Sequence, residues 1–227
     1  MNTCVTAVIL AAGSGNRMKL NITKQRIIIG NESVLHRTVK IFENCDAIDS
    51  VIVVVREDEM EFAKAELSEM SKVAAITVGG KTRVESAKIG FGLVDKSTEY
   101  VAIHDGARCF ITENVIKAVL NDAKEYGAAT ASSTLTDTVK EIDKNSNVLK
   151  TVDRSKLMLV QTPQIFKAEL YKKAIENIDI TDPTLTDDNM LMERIGVTVH
   201  CTDTGKNNIK LTVPEDLLYA EFLLKGE

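Results

Sequence analysis

Apolar residues fall along this chain in two alternating rhythms. Short runs that are apolar at nearly every position stop at Gly or Asp, and between them lie longer stretches with apolar residues every three or four positions. The first pattern predicts strands buried on both faces of a parallel sheet, and the second predicts amphipathic crossover helices. The run 5–12 predicts the first strand, ending at Gly13-Ser14-Gly15. Ser33 caps a predicted helix over Val34–Asn44 with Val34, Leu35, Thr38, Val39 and Phe42 on one face. A second strand follows at 48–55, an amphipathic helix at 57–71, a third strand over Val73–Val78 and a helix at 82–94. A fourth strand at 100–104 ends at Asp105, before a helix over Glu113–Tyr126 and an extended stretch at 128–133.

The rhythm then changes. Segments 138–142 and Val148–Val152 alternate apolar and polar residues across a polar Asp143–Asn147 turn, which predicts a hairpin. A two-stranded ribbon is marginal alone in water, so this one is expected to pack on something, such as a second subunit. The chain returns through 157–160, a helix at 167–177, a helical stretch at 186–195 and strands at 197–201 and 209–213. Pro214 then opens a final helix over Glu215–Leu224. The expectation is an α/β fold with a mostly parallel, Rossmann-like central sheet, as one domain over 1–227 with a β-arm at 136–154.

Ligands of such sheets bind where the strands end. After the first strand come Gly13, Gly15, Arg17 and Lys24; after the third, Gly79, Gly80, Lys81, Arg83 and Ser86. After the fourth come His104-Asp105-Gly106-Ala107-Arg108, and near the last, Asn208-Ile209-Lys210. Glycines that turn the backbone, together with clustered cations, describe a phosphate cradle. Asp105 suits Mg²⁺, which takes one or two carboxylates plus phosphate oxygens; the plainer role is capping a turn. His104 reads as a structural hydrogen-bonder. Lys210, inside a predicted apolar strand, reads as a charge clamp, against a snorkelling lysine. No GxxxxGK[ST] string occurs. A GxGxxG fingerprint fails at Met18, and Glu32 sits in a turn, which weighs against an NAD-dependent dehydrogenase.

Composition narrows the partners. With 227 residues and a net charge of -5, no global basic field draws the chain to nucleic acid, and aromatics total only 4%. Cys4, Cys45, Cys109 and Cys201 form no metal-binding spacing, so a reduced, cytoplasmic setting is expected. No basic leader opens the chain, and no apolar run approaches the ~18 residues of a membrane span.

The string Leu10-Ala11-Ala12-Gly13-Ser14-Gly15-Asn16-Arg17-Met18 resembles the start of sugar-nucleotide and polyol-phosphate nucleotidyltransferases. Further blocks follow in order: Gly79-Gly80-Lys81-Thr82-Arg83, His104-Asp105-Gly106-Ala107-Arg108, Asp137-Thr138-Val139-Lys140 and Val152-Asp153-Arg154. Then come Gln161-Thr162-Pro163-Gln164, Thr186-Asp187-Asp188, Asn208-Ile209-Lys210 and Pro214-Glu215-Asp216. Together they resemble the 2-C-methyl-D-erythritol 4-phosphate cytidylyltransferases of the non-mevalonate isoprenoid pathway, over nearly the whole chain.

That resemblance implies a GT-A-like nucleotidyltransferase fold and a homodimer joined by the arm. It also implies a reaction of CTP with the polyol phosphate, giving a CDP-alcohol and pyrophosphate with Mg²⁺. By it, Arg17, Lys24, Arg154 and Lys210 would be catalytic. Ala11, Ala12, Gly13, Gly15, Gly80, Lys81, Ser86, Asp105 and Gly106 would bind CTP, with Asp105 holding the metal. Arg108, Thr138, Arg154, Thr162 and Thr186 would hold the polyol phosphate, Thr138 and Arg154 serving the partner's site. Three departures stand out: Thr23 and Cys109 where the family usually has proline, and Lys81 where it often has an acid. Thr23 is expected to make its loop more mobile, and Cys109 is either a thiol near the substrate or an inert buried one. Relatives acting on ribitol 5-phosphate, and a non-catalytic nucleotide-binding protein of the same fold, are the alternatives.

Overall fold

The computed structural model describes residues 3–13, 18, 22–179, 182 and 184–225. The calls on Gly15 and Arg17 lie outside the described residues.

Eleven strands and seven α-helices appear among the described residues. The central sheet takes β1 (Val5–Leu10), β4 (Ser50–Val55), β5 (Val73–Val78), β6 (Tyr100–Asp105), β7 (Ala128–Thr134), β10 (Met158–Lys167) and β11 (His200–Asp203). Their spatial order is β11-β7-β10-β6-β1-β4-β5. All neighbours pair in parallel except β10, which runs antiparallel to both β6 and β7. Two small ribbons complete the strands: β2 (Ile28–Ile29) with β3 (Glu32–Ser33), and β8 (Val139–Ile142) with β9 (Val148–Val152).

The doubly apolar strand runs have their cause in the layers. Val5, Ala7 and Ile9 of β1 face a core closed by α1 (Val34–Asn44), α2 (Met60–Glu66) and α4 (Glu113–Tyr126). Val8 faces the opposite core, under α3 (Arg83–Phe91), α5 (Ala168–Glu176) and α6 (Asn189–Arg194). A third cluster joins Met18, Ile27, Cys109, Phe110 and Leu211 to Ala220 of α7 (Glu215–Leu224). Caps set the helix ends as read: Ser33 Oγ accepts from the His36 N–H, and Gly127, at φ +87°, closes α4 in the left-handed conformation.

α3 lies unusually close to the sheet. A Cβ on Gly90 would meet Val8 Cγ1 at 2.5 Å and Val54 Cγ2 at 2.8 Å. Gly90→Ala is therefore expected to destabilise the protein by about 1–3 kcal/mol through overpacking, read as a lower denaturant midpoint at unchanged slope.

Five sequence expectations change. The helix expected at 57–71 is a single 3₁₀ turn followed by α2, which stops at Glu66. Glu43 ends the segment by accepting from the backbone N–H groups of Ser71 and Lys72. The return segment expected at 157–160 opens a strand, β10, that runs on through 167, because Pro163 sits in the register irregularity between Val160 and Gln164, where no ladder donor is needed. The helix expected at 186–195 begins only at Asn189, and Asp187 Oδ1 accepts from the Met190 N–H three residues on, as a carboxylate just before a helix does. The strand expected at 197–201 is displaced to His200–Asp203, in register with Ala129–Ser132. The segment 209–213 is no strand: Leu211 N–H donates to Ala107 O, and Val213 N–H to Asp216 Oδ2. Lys210 thus rides on an irregular segment, not inside a ladder.

The arm forms as expected. Ile142, Val148 and Leu149 on it are each more than half exposed.

Candidate active site

Where β1, β4, β5 and β6 end, a cavity of ≈ 610 Å³ opens. It is within the size range of small-molecule sites. Ala12 and Gly13 supply one wall, and Gly80, Lys81, Thr82, Arg83 and Ser86 another; Asp105, Lys24 and Lys210 line the rest. Arg56 and Gln25 line it too, though the sequence reading passed over both. Arg56 directly follows the apolar run of β4, so the strand-end rule alone points to it.

The base of the cavity is packed backbone. A Cβ on Gly79 would meet Ala12 Cβ at 2.6 Å and Ser86 Oγ at 2.8 Å, so only hydrogen fits there. Ser86 Oγ accepts from the Gly80 N–H at 3.1 Å and donates to Thr82 O, which pins the start of α3 to the glycine turn. Gly106 N–H donates to Leu10 O, and a Cβ on Gly106 would press Ala11 Cβ at 3.1 Å. The turns after β1 and β6 are thereby held together. Ala11 is buried, its N–H donating to Val54 O.

Asp105 is the only carboxylate among the described residues lining this cavity. Lys210 Nζ donates to its Oδ2 at 2.7 Å, Arg83 Nε to its Oδ1 at 3.3 Å, and Arg108 Nε lies 3.9 Å away. Burial pushes the Asp105 carboxyl up, but Arg83, Lys210 and Arg108 outweigh it and hold it well below the usual carboxylate range. Arg83 reaches a second buried carboxylate, Asp188, which also accepts from Tyr171 Oη at 2.7 Å. Lys24 Nζ donates to Leu211 O at 3.0 Å, next to Lys210. Five cations, Lys24, Arg56, Lys81, Arg83 and Lys210, thus line the cavity with one carboxylate, and with Arg56 also paired to Asp58 and Arg83 to Asp188 an excess of positive charge remains that favours a polyanion.

Behind Asp105 lies a closed polar relay. Asp105 N–H donates to Thr162 Oγ1 at 3.0 Å, and Thr162 Oγ1 lies 3.1 Å from His104 Nδ1. His104 Nε2 is 3.3 Å from Arg108 O. A carbonyl only accepts, so Nε2 carries the proton and Nδ1 accepts from the Thr162 hydroxyl. Burial drives the His104 pKa down to about 3, so the ring is neutral, as a structural hydrogen-bonder should be. Unfolded histidine protonates near pH 6.5. Stability owed to this ring is complete above that pH and falls as pH drops toward 3, by up to about 1.4 kcal/mol per unit. His104→Asn is expected to show a shallower loss of denaturant midpoint between pH 6.5 and pH 4.5, roughly, than the parent protein.

Of the remaining candidates, Thr162 and Arg108 lie behind Asp105 and the others are dispersed. Thr162 is only 4% exposed, and its hydroxyl bonds are taken up inside the protein. Arg108 is largely enclosed and donates to Asn208 O at 2.7 Å, while its Nε has no hydrogen-bond partner. Thr138 and Arg154 are exposed at the arm, where Arg154 donates to Thr136 O. Thr186 is exposed before α6, its hydroxyl 3.4 Å from Met190 Sδ. Cys109 is fully buried against the third core cluster, which makes it the packed thiol of the two readings. Lys81 is exposed, and its N–H donates to Glu85 Oε2 at 2.7 Å, so a carboxylate reaches this turn from one helical turn further on. Thr23 directly precedes an ordered 3₁₀ turn, Lys24–Arg26.

Known proteins share this architecture. The family model described as IspD, 2-C-methyl-D-erythritol 4-phosphate cytidylyltransferase, matches residues 5–226. A 2-C-methyl-D-erythritol 4-phosphate cytidylyltransferase from Alkaliphilus oremlandii (strain OhILAs) is 40% identical over 223 residues, covering 97% of this chain and 94% of its own. The Clostridium acetobutylicum protein of the same name is 40% identical over 222 residues, covering 96% of each chain. The crystal structure of 4-diphosphocytidyl-2C-methyl-D-erythritol synthase from Anaerococcus prevotii DSM 20548 superposes with a TM-score of 0.89 at 30% identity, over 99% of this chain and 100% of that one. With matches of this extent in sequence and in fold, the chain belongs to the 2-C-methyl-D-erythritol 4-phosphate cytidylyltransferase family.

Proposed function

We propose that this protein transfers the cytidylyl group of CTP to 2-C-methyl-D-erythritol 4-phosphate, giving 4-CDP-2-C-methyl-D-erythritol and pyrophosphate. The observation that carries the reading is the excess of cations that line, together with Asp105, a glycine-walled cavity where the strands end. A phosphate oxygen of the polyol attacks the α-phosphorus of CTP, and the bond from that phosphorus to the β-phosphate bridging oxygen breaks. No protein nucleophile is needed, so catalysis is positioning and charge stabilisation.

Lys24 and Lys210 neutralise the triphosphate and the charge that grows on the five-coordinate phosphorus, with Arg17 assigned to the same task. Ala11 to Gly15 wrap the nucleotide by backbone N–H groups, and Gly80, Lys81, Ser86 and Gly106 bound the nucleoside end. Small residues here let a pyrimidine lie against the backbone. Arg108, with its unpartnered Nε, and Thr186 hold the polyol phosphate, joined by Thr138 and Arg154 from a partner's arm. Thr162 serves that subsite through Asp105, whose N–H it receives.

The residues fit a divalent cation: one hard carboxylate, Asp105, faces the cavity, and a Mg²⁺ ion takes its other ligands from phosphate oxygens and water. When bound, Mg²⁺ supplies Lewis-acid polarisation of the phosphates. A homodimer is supported by the exposed apolar side chains of the β8–β9 ribbon, which needs a surface to lie on. A nucleotide substrate and four widely spaced cysteines support a cytoplasmic setting.

Each of the four NTPs should be incubated with either 2-C-methyl-D-erythritol 4-phosphate or ribitol 5-phosphate while pyrophosphate is measured. Release with CTP and the erythritol substrate is expected. Faster release with ribitol 5-phosphate overturns the substrate assignment, and no release with any pair overturns the transfer reaction.

A further inference from the structure

The segment that carries Lys210 has no ladder to hold it, yet Lys210 Nζ stands 2.7 Å from Asp105 Oδ2. Something other than sheet pairing must set that distance. Asn208, two residues earlier, is 2% exposed. Its side-chain amide donates twice, to Gln161 Oε1 at 3.0 Å and to Thr162 O at 2.8 Å. Its own backbone carbonyl accepts from Arg108 Nη1 at 2.7 Å. One buried residue thus bolts the segment to the irregular stretch of β10 and to the turn after β6.

Thr162 is the shared anchor. Its carbonyl holds Asn208, while its hydroxyl receives the Asp105 N–H. The carboxylate and the ammonium are therefore registered against the same residue from chain segments more than a hundred positions apart. On the far side of Lys210, Leu211 N–H donates to Ala107 O. The lysine is suspended between two fixed points: Leu211 is held by the Ala107 carbonyl and by the Lys24 ammonium, and Asn208 is held by its own side chain.

We propose that Asn208 is a positioning residue for the transfer reaction: it never touches substrate, and it acts by holding Lys210 over the cavity beside Asp105. The inference rests on the cytidylyl-transfer reading, in which Lys210 meets the triphosphate. A hydrogen-bonded support of this kind matters because a misplacement of about 1 Å in a charge-stabilising group costs on the order of 10² in rate. Alanine at 208 removes both amide bonds, and serine is too short to span to Gln161 and Thr162 together.

A double-mutant cycle tests it: the parent, Asn208→Ala, Lys210→Ala and the double variant, read as kcat, KM for CTP and the Kd for CTP by titration calorimetry. Asn208→Ala is expected to lower kcat by about 10²-fold in the parent. In the Lys210→Ala background it should cost no more than about twofold, because its effect has already been removed. Thermal melts check folding, and Asn208→Ser repeats the cycle if the alanine variant unfolds. Equal losses from Asn208→Ala in both backgrounds overturn the proposal and leave a structural role. Undiminished turnover in Asn208→Ala also overturns it. Should the parent release no pyrophosphate, the transfer reading fails by itself, and the same cycle in CTP affinity still decides whether Asn208 works through Lys210.

Discussion

Asp105→Asn is expected to lose stability and turnover together, the largest combined effect of any single change in this protein. The carboxylate is the counter-charge for Arg83 and Lys210, with Arg108 close by. An asparagine there leaves those cations facing a neutral amide. Removing one partner of a buried pair costs about 3–5 kcal/mol. The low end, about 3 kcal/mol, is expected because the Lys210 side chain keeps 37% exposure and can turn to water.

Acidification should reproduce part of this loss. The Asp105 carboxyl is held below its ordinary range, so its stabilisation is complete above the unfolded value of about 3.9 and fades as pH falls below that. Denaturant midpoints should therefore drop for the parent below about pH 4, and less steeply for the asparagine variant. Turnover should fall further than stability explains, since Lys210 loses its anchor and the cavity loses the charge of a lining carboxylate. A variant with parental turnover would remove Asp105 from the machinery.

Lys210→Ala is expected to leave the melting temperature nearly unchanged while lowering kcat by about 10²–10³. Its ammonium touches Asp105 from a part-exposed position, and Arg83 still faces that carboxylate once Lys210 is gone. In the proposed transfer the same charge is assigned to phosphate oxygens whose negative charge grows at the five-coordinate stage. The loss should appear in kcat more than in KM for CTP, the pattern of an interaction made chiefly in the transition state. A rise in KM with kcat preserved would mean that Lys210 merely binds the nucleotide.

How far these residues could be read from sequence depended on whether their signal was local. The bounds of α1 and α4 follow from caps at Ser33 and Thr112 and from apolar spacing, so they match residue for residue. Strand ends named most of the cavity, because the apolar runs stop where the backbone opens to ligand. The run across Gln161–Lys167 could not be read as a strand: Pro163 argues against one locally, and only the irregular pairing between β6 and β7 accommodates it. Lys210 looked like a strand residue because Ile209, Leu211 and Val213 flank it with the right period. Their backbone donors go to Ala107, Asp216 and the neighbouring turn, partners no short window displays. The Arg83–Asp188–Tyr171 link, likewise, joins three elements whose order in the chain says nothing of their meeting.

The reversed course of β10 also sets a timetable. During synthesis β1, β4, β5 and β6 can lie side by side as soon as residue 105 has emerged, since the β1–β4, β1–β6 and β4–β5 pairings are all complete by then. The outer margin of β6, an apolar Val101–Ile103 row, must then wait uncovered until residue 167 is made and β10 slots in. Asp105 meanwhile has Arg83 at hand but neither Thr162 nor Lys210. The surroundings of Asp105 are therefore completed last, by the final third of the chain, and a nascent chain stalled before β10 presents a sticky margin for chaperones to shield.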